Sequence, residues 1–158
     1  MFVPTRDDFW RWALARWQDS EVAAGLLSLQ EDHHVVVLEV MLLAWLGRGG
    51  WQVSADCHAA LVAVAQPWVA EVVLPLHQTR QQWRNDPARA AQRRCLQRVE
   101  LRAEEELAEL YFAVLAQWPL KQRLPEAPSP LRDNLSHALV KTALAEADLE
   151  RLLELLSD

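Results

Sequence analysis

Glu39 is the residue of this sequence whose position most suggests chemistry, because it is the one polar residue between Val35 and Leu46. An isolated ionised carboxylate in an apolar core is costly, so it must be paired or protonated. A carboxyl group with a raised pKa would suit general acid or base catalysis. The alternative is structural: Glu39 lies on a helix edge that reaches solvent, or pairs with an arginine from another helix.

A polar cluster precedes this apolar run and consists of Gln30, Glu31, Asp32, His33 and His34. Imidazole and carboxylate groups are metal ligands. Adjacent histidines on a helix point about 100° apart, however, and the sequence contains no H-x-x-x-H or H-E-x-x-H pattern. We therefore expect no metal and no cofactor, and we treat the cluster with Glu39 as the polar groups of a possible small-molecule pocket.

Positive charge is concentrated between residues 80 and 102, in a chain whose net charge is −6. The segment contains seven arginines, which are Arg80, Arg84, Arg89, Arg93, Arg94, Arg98 and Arg102. Binding of nucleic acid through these residues is conceivable, but it usually requires a broader positive surface. A solvated amphipathic helix, or a docking surface for an acidic protein, explains the pattern better.

Glu100 lies at the end of this basic segment and Glu104 just beyond it, one helical turn apart. Both carboxylates then share a helix face and could bind a cation or act as an acid and base pair. The Glu-x-x-His sequence of di-metal helical bundles does not occur. Salt bridging within the protein is the favoured interpretation.

Tryptophan is abundant, with eight residues in 158. Indole rings suit protein interfaces as well as cores, because one end is apolar and the N–H seeks a partner. The first predicted helix alone contains Trp10, Trp12 and Trp17. Exposed tryptophan there would mark a binding patch, and Trp10 is our candidate contact residue.

The elements that must position these residues are helices. We predict an all-α domain over 1–158, with seven or eight helices around a buried central helix at about 35–46 and a proline-rich loop at 119–130. Thr5 and Ser54 are predicted N-caps, and Gly47 a left-handed C-terminal cap. Other predicted helices occupy about 55–65, 67–84 with a kink at Pro75, 88–118, 131–142 and 146–156.

Localisation follows from what is missing. Charged residues between Met1 and Arg16 exclude the pattern of a signal peptide, and the central apolar run is shorter than the roughly 20 residues of a membrane span. Cys57 and Cys95 form no C-x-x-C pair and are predicted to be reduced core thiols. We expect a cytoplasmic protein without a membrane span.

Several short segments together resemble a proteobacterial family known only as a domain of unknown function. They are Phe9-Trp10, Leu29-Gln30-Glu31, Trp45-Leu46-Gly47, Val72 to Leu76 with Arg80, and Val99-Glu100-Leu101 followed by Glu104. The resemblance spans nearly the whole chain and implies an all-helical cytoplasmic protein without supplying an activity. His34 stands where the family pattern has a glycine, and Val36-Val37-Leu38 where it has a polar Asp-Val-Asn.

The sequence therefore predicts a non-catalytic protein-interaction or accessory module, with a protein partner or self-association and little role for nucleic acid. The alternative is a small-molecule-binding protein or enzyme, with a pocket beside the central helix that uses Glu39 and the cluster from Asp32 to His34.

Overall fold

The structure, a computed structural model, describes residues 3–158, so residues 1–2 of the predicted domain lie outside it. Eight α-helical segments follow one another, and two short strands pair in an antiparallel ladder. Their bounds are α1 Arg6–Trp17, α2 Ser20–His33, α3 Val37–Arg48, β1 Trp51–Gln52, α4 Ala55–Trp68, α5 Leu74–Gln82, α6 Ala90–Leu115, β2 Lys121–Gln122, α7 Leu131–Leu139 and α8 Glu146–Ser157. The predicted all-α fold is confirmed.

Helix α3 is the centre of the bundle. Every residue from Val40 to Gly47 is buried, and α3 packs against α7, α8, α1, α2 and α6. A helix that is apolar on nearly every face needs such a cover on nearly every side. The predicted central helix is therefore confirmed, with its start and end two residues later than expected.

The prediction for Gly47 as a left-handed cap is wrong. Gly47 lies inside α3, and the positive φ of this connection belongs to Gly50, at 78°. Gly47 is needed for a different reason, since a Cβ atom there would lie 2.5 Å from Cα of Leu131 at the start of α7. The glycine lets two helices approach each other at backbone distance.

Between α2 and α3 the left-handed residue is His34, with φ 55° and ψ 33°. Its N–H donates to the carbonyl of Gln30 and so closes the end of α2. Residues with a Cβ pay about 1–2 kcal/mol for this conformation, and glycine does not.

We therefore expect His34→Gly to raise the free energy of unfolding by about 1 kcal/mol. The gain is smaller than the full left-handed penalty, because glycine also makes the unfolded chain more flexible. Urea denaturation followed by circular dichroism measures it. Equal stability of variant and wild type would contradict the account, and His33→Gly, one residue earlier inside the helix, should be destabilising.

Helices α4 and α5 form one continuous helix of 28 residues, Ala55–Gln82. A π-helical segment, Val69–Val73, joins them, with N–H of Leu74 bonded to the carbonyl of Val69. Pro75 has no N–H to offer the carbonyl of Glu71, which explains why the regular pattern breaks just before it. The predicted helix start at Pro67 is wrong, because Pro67 lies inside α4.

This continuous helix is unusually exposed for its hydrophobicity. An 18-residue window reaches a mean hydropathy of 1.7, yet 17% of that window is buried. Within residues 3–158, one helix is long and apolar enough to cross a membrane, and it is this continuous helix. Core helices of soluble proteins and signal sequences meet the same criterion.

Helix α6 runs back along α4 and α5 after a 3₁₀ turn, Pro87–Arg89. The predicted helix at 88–118 is thus shorter at both ends. The prediction that Cys95 is a core thiol is wrong, because Cys95 is exposed on α6, whereas Cys57 is buried as expected. Both cysteines are free.

The predicted loop at 119–130 contains β2, which pairs with β1. Helix α7 then returns to the centre, where fully buried Asn134 fixes it to the segment around β1. Its side-chain oxygen accepts from N–H of Val53 at 2.9 Å, and its amide donates to the carbonyls of Trp51 and Leu43 at 2.8 and 3.3 Å. Asn134 satisfies three backbone groups in the core, as buried polar groups require.

Candidate functional site

Glu39 does not stand alone in the core. Its Oε1 lies 2.5 Å from Nε2 of His58 on α4, and both side chains are largely buried, at 12% and 15% exposure. The Glu39 carboxylate also lies near the buried hydroxyl of Tyr111. Burial, and secondarily the Glu39 charge, raise the pKa of Tyr111. Glu39 is therefore paired, as its position demanded, with histidine in place of arginine.

His58 lines a cavity of about 430 Å³ together with His137 of α7. The two imidazole rings stack, with centroids 5.6 Å apart. Nε2 of His137 bonds to the carbonyl of Val53, as Nε2 of His58 does to Glu39, and no Nδ1 bond is present for either ring in the described chain. A carboxylate that holds an imidazole in one tautomer is the usual arrangement for a general base.

The rest of this histidine cavity is mainly apolar, with Leu139, Val140, Leu144 and Leu149 among its walls. The Ser136 and Thr142 hydroxyls at its edge already donate to carbonyls of their own helical turn. Neither is placed against an imidazole by any hydrogen bond in residues 3–158. The cavity thus offers two imidazoles to a ligand and no activated nucleophile.

The polar cluster before α3 lies at a different cavity, of about 260 Å³, between α2 and α8. Asp32 and His33 line it with Arg151, and Asp32 accepts a hydrogen bond from Ser28 at 3.0 Å. His34 is exposed, and Gln30 contributes its backbone carbonyl to the helix end. The structure places Glu39 in one site and the cluster in another, so the two do not form the single pocket considered from sequence.

Glu100 is buried on α6 and paired with two residues of α5. Nε of Arg80 donates to Oε2 at 2.5 Å, and Nδ1 of His77 lies 3.0 Å from Oε1. Burial acts to raise the pKa of Glu100, but the hydrogen bonds from His77 and Arg80 and the Arg80 charge outweigh it and lower the pKa. The Arg80–Glu100 pair joins α5 to α6, whereas Arg84 is exposed beyond it.

Glu104 has a different environment from Glu100, although it follows one turn later. Its side chain makes no hydrogen bond or ion pair within the part of the chain that the structure describes. Burial, followed by the charge of Glu100, raises its pKa to about 7, and Arg80 lowers it less. Glu104 is thus a carboxyl group that lacks a cation.

Glu104 lines a cavity of about 60 Å³ between α6, α1 and α3, which we call the Glu104 cavity. Trp10 is part of its wall, and the remaining lining residues are apolar: Ala13, Leu14, Trp17, Val37, Leu38, Met41 and Leu101. A space of this size admits a few water molecules or the end of one side chain. Metabolite pockets usually measure about 300–1,000 Å³.

Three of these lining residues are also among the large apolar side chains most exposed to solvent. Leu14 is 36% exposed, Trp17 38% and Leu101 42%. We call these three residues the apolar patch. Exposed aromatic and aliphatic side chains grouped around a cavity are the usual composition of a protein contact site.

The raised pKa of Glu104 predicts a pH-dependent stability. The ordinary pKa is 4.5 and the folded value about 7, so between these values the folded protein binds more protons than the unfolded chain. The free energy of unfolding therefore falls as pH rises from about 5 to 8, by up to about 3 kcal/mol. Glu104→Gln should remove this fall and leave the variant more stable than wild type at pH 8.

Urea denaturation of dilute monomeric protein at pH 5 and pH 8 measures the effect. Glu106→Gln is the matched control, because Glu106 is exposed on the same turn of α6 and makes no ion pair in the described residues. The account is wrong if the Glu104→Gln variant differs from wild type by the same amount at both pH values.

Sequence reasoning singled out Trp10, Glu39, Arg80 and Glu100 but missed the residues that complete their sites. His58, His77 and His137 looked isolated in sequence, because their partners lie on other helices. Trp17 carried a signal, since three tryptophans on one short helix cannot all face the core. Leu101 carried one too, as an apolar residue within a charged helix.

Within residues 3–158, no group of three or more histidine, cysteine, aspartate or glutamate side chains is arranged to hold a metal ion. The fold and its sites define a helical bundle with two separate candidate binding regions, the Glu104 cavity with its apolar patch and the histidine cavity.

The chain belongs to the family described as "Protein of unknown function (DUF2390)", whose model matches residues 8–110. The match includes every residue of the apolar patch and of the Glu104 cavity, and it ends before α7 and His137. No curated protein matches the chain, and no solved structure does.

Proposed function

We propose that this protein is a non-catalytic cytoplasmic interaction module whose contact surface is the apolar patch around the Glu104 cavity. The observation that supports the proposal is the convergence of Leu14, Trp17 and Leu101, all exposed, on one small cavity. A partner would remove these side chains from water, which contributes about 25 cal/mol for each Å² of apolar surface covered.

The size of the cavity favours a protein partner over a metabolite. About 60 Å³ is too small for a cofactor, but it suits one inserted side chain. Trp10 and Trp17 are large and rigid, and residues of this type commonly carry most of the binding energy of an interface.

Photo-crosslinking in cells that express the protein tests the proposal. A benzophenone amino acid at Leu14 is expected to give one defined protein adduct, identified by mass spectrometry. The adduct should disappear when Leu101→Asp is added. The matched control places the same probe at Glu154, on the exposed face of α8, where that adduct is not expected. Absence of a Leu14-specific adduct would overturn the proposal.

A second candidate function is small-molecule binding at the histidine cavity. It is favoured by the Glu39–His58 pair, whose 2.5 Å contact orients an imidazole beside a space of about 430 Å³. A thermal-shift screen of small organic acids and amines tests it. Hits whose stabilisation is lost in His58→Ala and His137→Ala support this function, and hits unaffected by either variant, or no hits, refute it.

A further inference from the structure

The arrangement of charge on α6 indicates what kind of protein fits the apolar patch. The first half of the helix contains Arg93, Arg94, Arg98 and Arg102, and the second half contains Glu104, Glu105, Glu106 and Glu109. Two such helices packed antiparallel would bring the basic half of one against the acidic half of the other, whereas a parallel pair would bring like charges together. The helix is complementary to itself.

Arg98 and Glu104 are the two charges of this helix that matter most for such a pairing. The guanidinium of Arg98 is exposed, contacts Sγ of Cys95 and makes no ion pair in residues 3–158. Glu104 lines its cavity without a cation. Within one chain they lie six residues apart on α6, about 9 Å along the axis.

Leu101 stands midway between them and is exposed at 42%. Arg98 precedes it and Glu104 follows it by the same three residues, so each lies about 4.5 Å from Leu101 along the helix and about 60° around it, on opposite sides. A two-fold axis through Leu101 therefore brings Arg98 of each copy level with Glu104 of the other, within reach of the long arginine side chain across the contact. One contact completes two ion pairs.

We propose, on the basis of the interaction function above, that the apolar patch binds a second copy of this chain, in which the two α6 helices cross antiparallel at Leu101 and each Arg98 enters the partner's Glu104 cavity. The two Leu101 side chains meet at the axis, and Leu14 and Trp17 of each copy flank them. Isologous two-fold contacts of this kind are the commonest form of self-association.

The size and lining of the cavity agree with this occupant. About 60 Å³ admits the planar end of one arginine side chain. The indole rings of Trp10 and Trp17 can cover a guanidinium group, since arginine stacks on aromatic faces. The carboxylate then gains the bidentate partner that it lacks in one copy.

Light scattering and sedimentation at pH 8 and low salt test the oligomeric state. The wild type is expected to dimerise, with a dissociation constant that rises with salt. Arg98→Glu and Glu104→Arg should each raise that constant by at least about tenfold, because both place like charges across the axis. An equimolar mixture of the two variants should recover association, because the mixed pair again faces opposite charges.

A disulfide test reports the crossing point independently of charge. In a Cys95→Ser background, Leu101→Cys is expected to form a dimer under mild oxidation, since the two positions meet at the axis. Glu106→Cys, five residues away on the same helix, is the control and should not. Circular dichroism checks that Glu104→Arg folds, and if it does not, Arg98→Glu and the disulfide pair decide the result.

A monomeric wild type, an Arg98→Glu variant that dimerises like wild type, or the absence of a Leu101→Cys crosslink would each overturn the second copy as the partner. These failures are distinct from failure of the proposed function. A monomer that still gives a Leu14-specific adduct with a different protein keeps the interaction module and refutes self-association.

Discussion

Gly47→Ala is expected to destabilise the protein by about 4 kcal/mol, a large effect for one methyl group. The new Cβ would lie 2.5 Å from Cα and 2.9 Å from the backbone nitrogen of Leu131. Both atoms belong to the backbone of α7, so no side-chain rotation relieves the contact. Relief requires α7 to move away from α3, which opens the core between these two helices.

Urea denaturation followed by circular dichroism gives the free energy of unfolding. Gly25→Ala is the matched control, because glycine 25 also lies within a helix but meets only the flexible Cδ1 of Leu155, at 3.3 Å. That variant should lie within about 1 kcal/mol of wild type, since alanine favours helix and offsets a small adjustment of Leu155. Similar stabilities for the two variants would show that the Gly47 contact is not limiting.

Asn134→Ala is expected to cost about 4 kcal/mol as well. The substitution leaves the N–H of Val53 and the carbonyls of Trp51 and Leu43 without their bonds to Asn134. Each buried polar group left unsatisfied costs about 1–3 kcal/mol. Water entering the vacated space can recover part of this loss.

Ser136→Ala on the same helix separates this effect from helix propensity. The Ser136 side chain is exposed and donates to the carbonyl of Asp133, within its own turn. Its loss should therefore change stability by less than about 0.5 kcal/mol. An Asn134→Ala variant as stable as Ser136→Ala would show that the three hydrogen bonds contribute little to folding.

The helices could be predicted where the signal was local. Thr5 and Ser54 accept the N–H groups of Asp8 and Cys57, as their types and positions suggested. The apolar run of α3 predicted a buried helix, because a helix that is apolar on nearly every face must be covered on nearly every side. Caps and periodicity depend on neighbours within four residues, which the sequence displays directly.

The errors arose where a distant element decides the outcome. Glycine at the end of an apolar run usually marks a left-handed cap, but Gly47 is required by Leu131, 84 residues later. That contact has no counterpart in local sequence. Pro67 is a different error, because it lies inside α4, and the regular pattern breaks at the π-helical segment before Pro75, where the sequence predicted a kink.

The candidate sites followed the same division. Glu39 was recognised as a residue that needs a partner, but the partner, His58, is 19 residues away on another helix. Glu100 and Glu104 looked equivalent in sequence. Packing gave the first Arg80 and His77 and left the second facing a cavity, so similar residues one turn apart acquired pKa shifts in opposite directions.

The connection between α5 and α6, with the first turns of α6, should be a mobile part of the protein. No residue from Arg84 to Val99 is buried, and α5 packs against α6 and the π-helical segment. With so few buried contacts, the backbone amides there should exchange with deuterium through local opening, while those of α3 exchange only when the whole bundle unfolds. Arg98 lies at the inner boundary of this segment, so association would slow amide exchange in a region that is the first to open in the single chain.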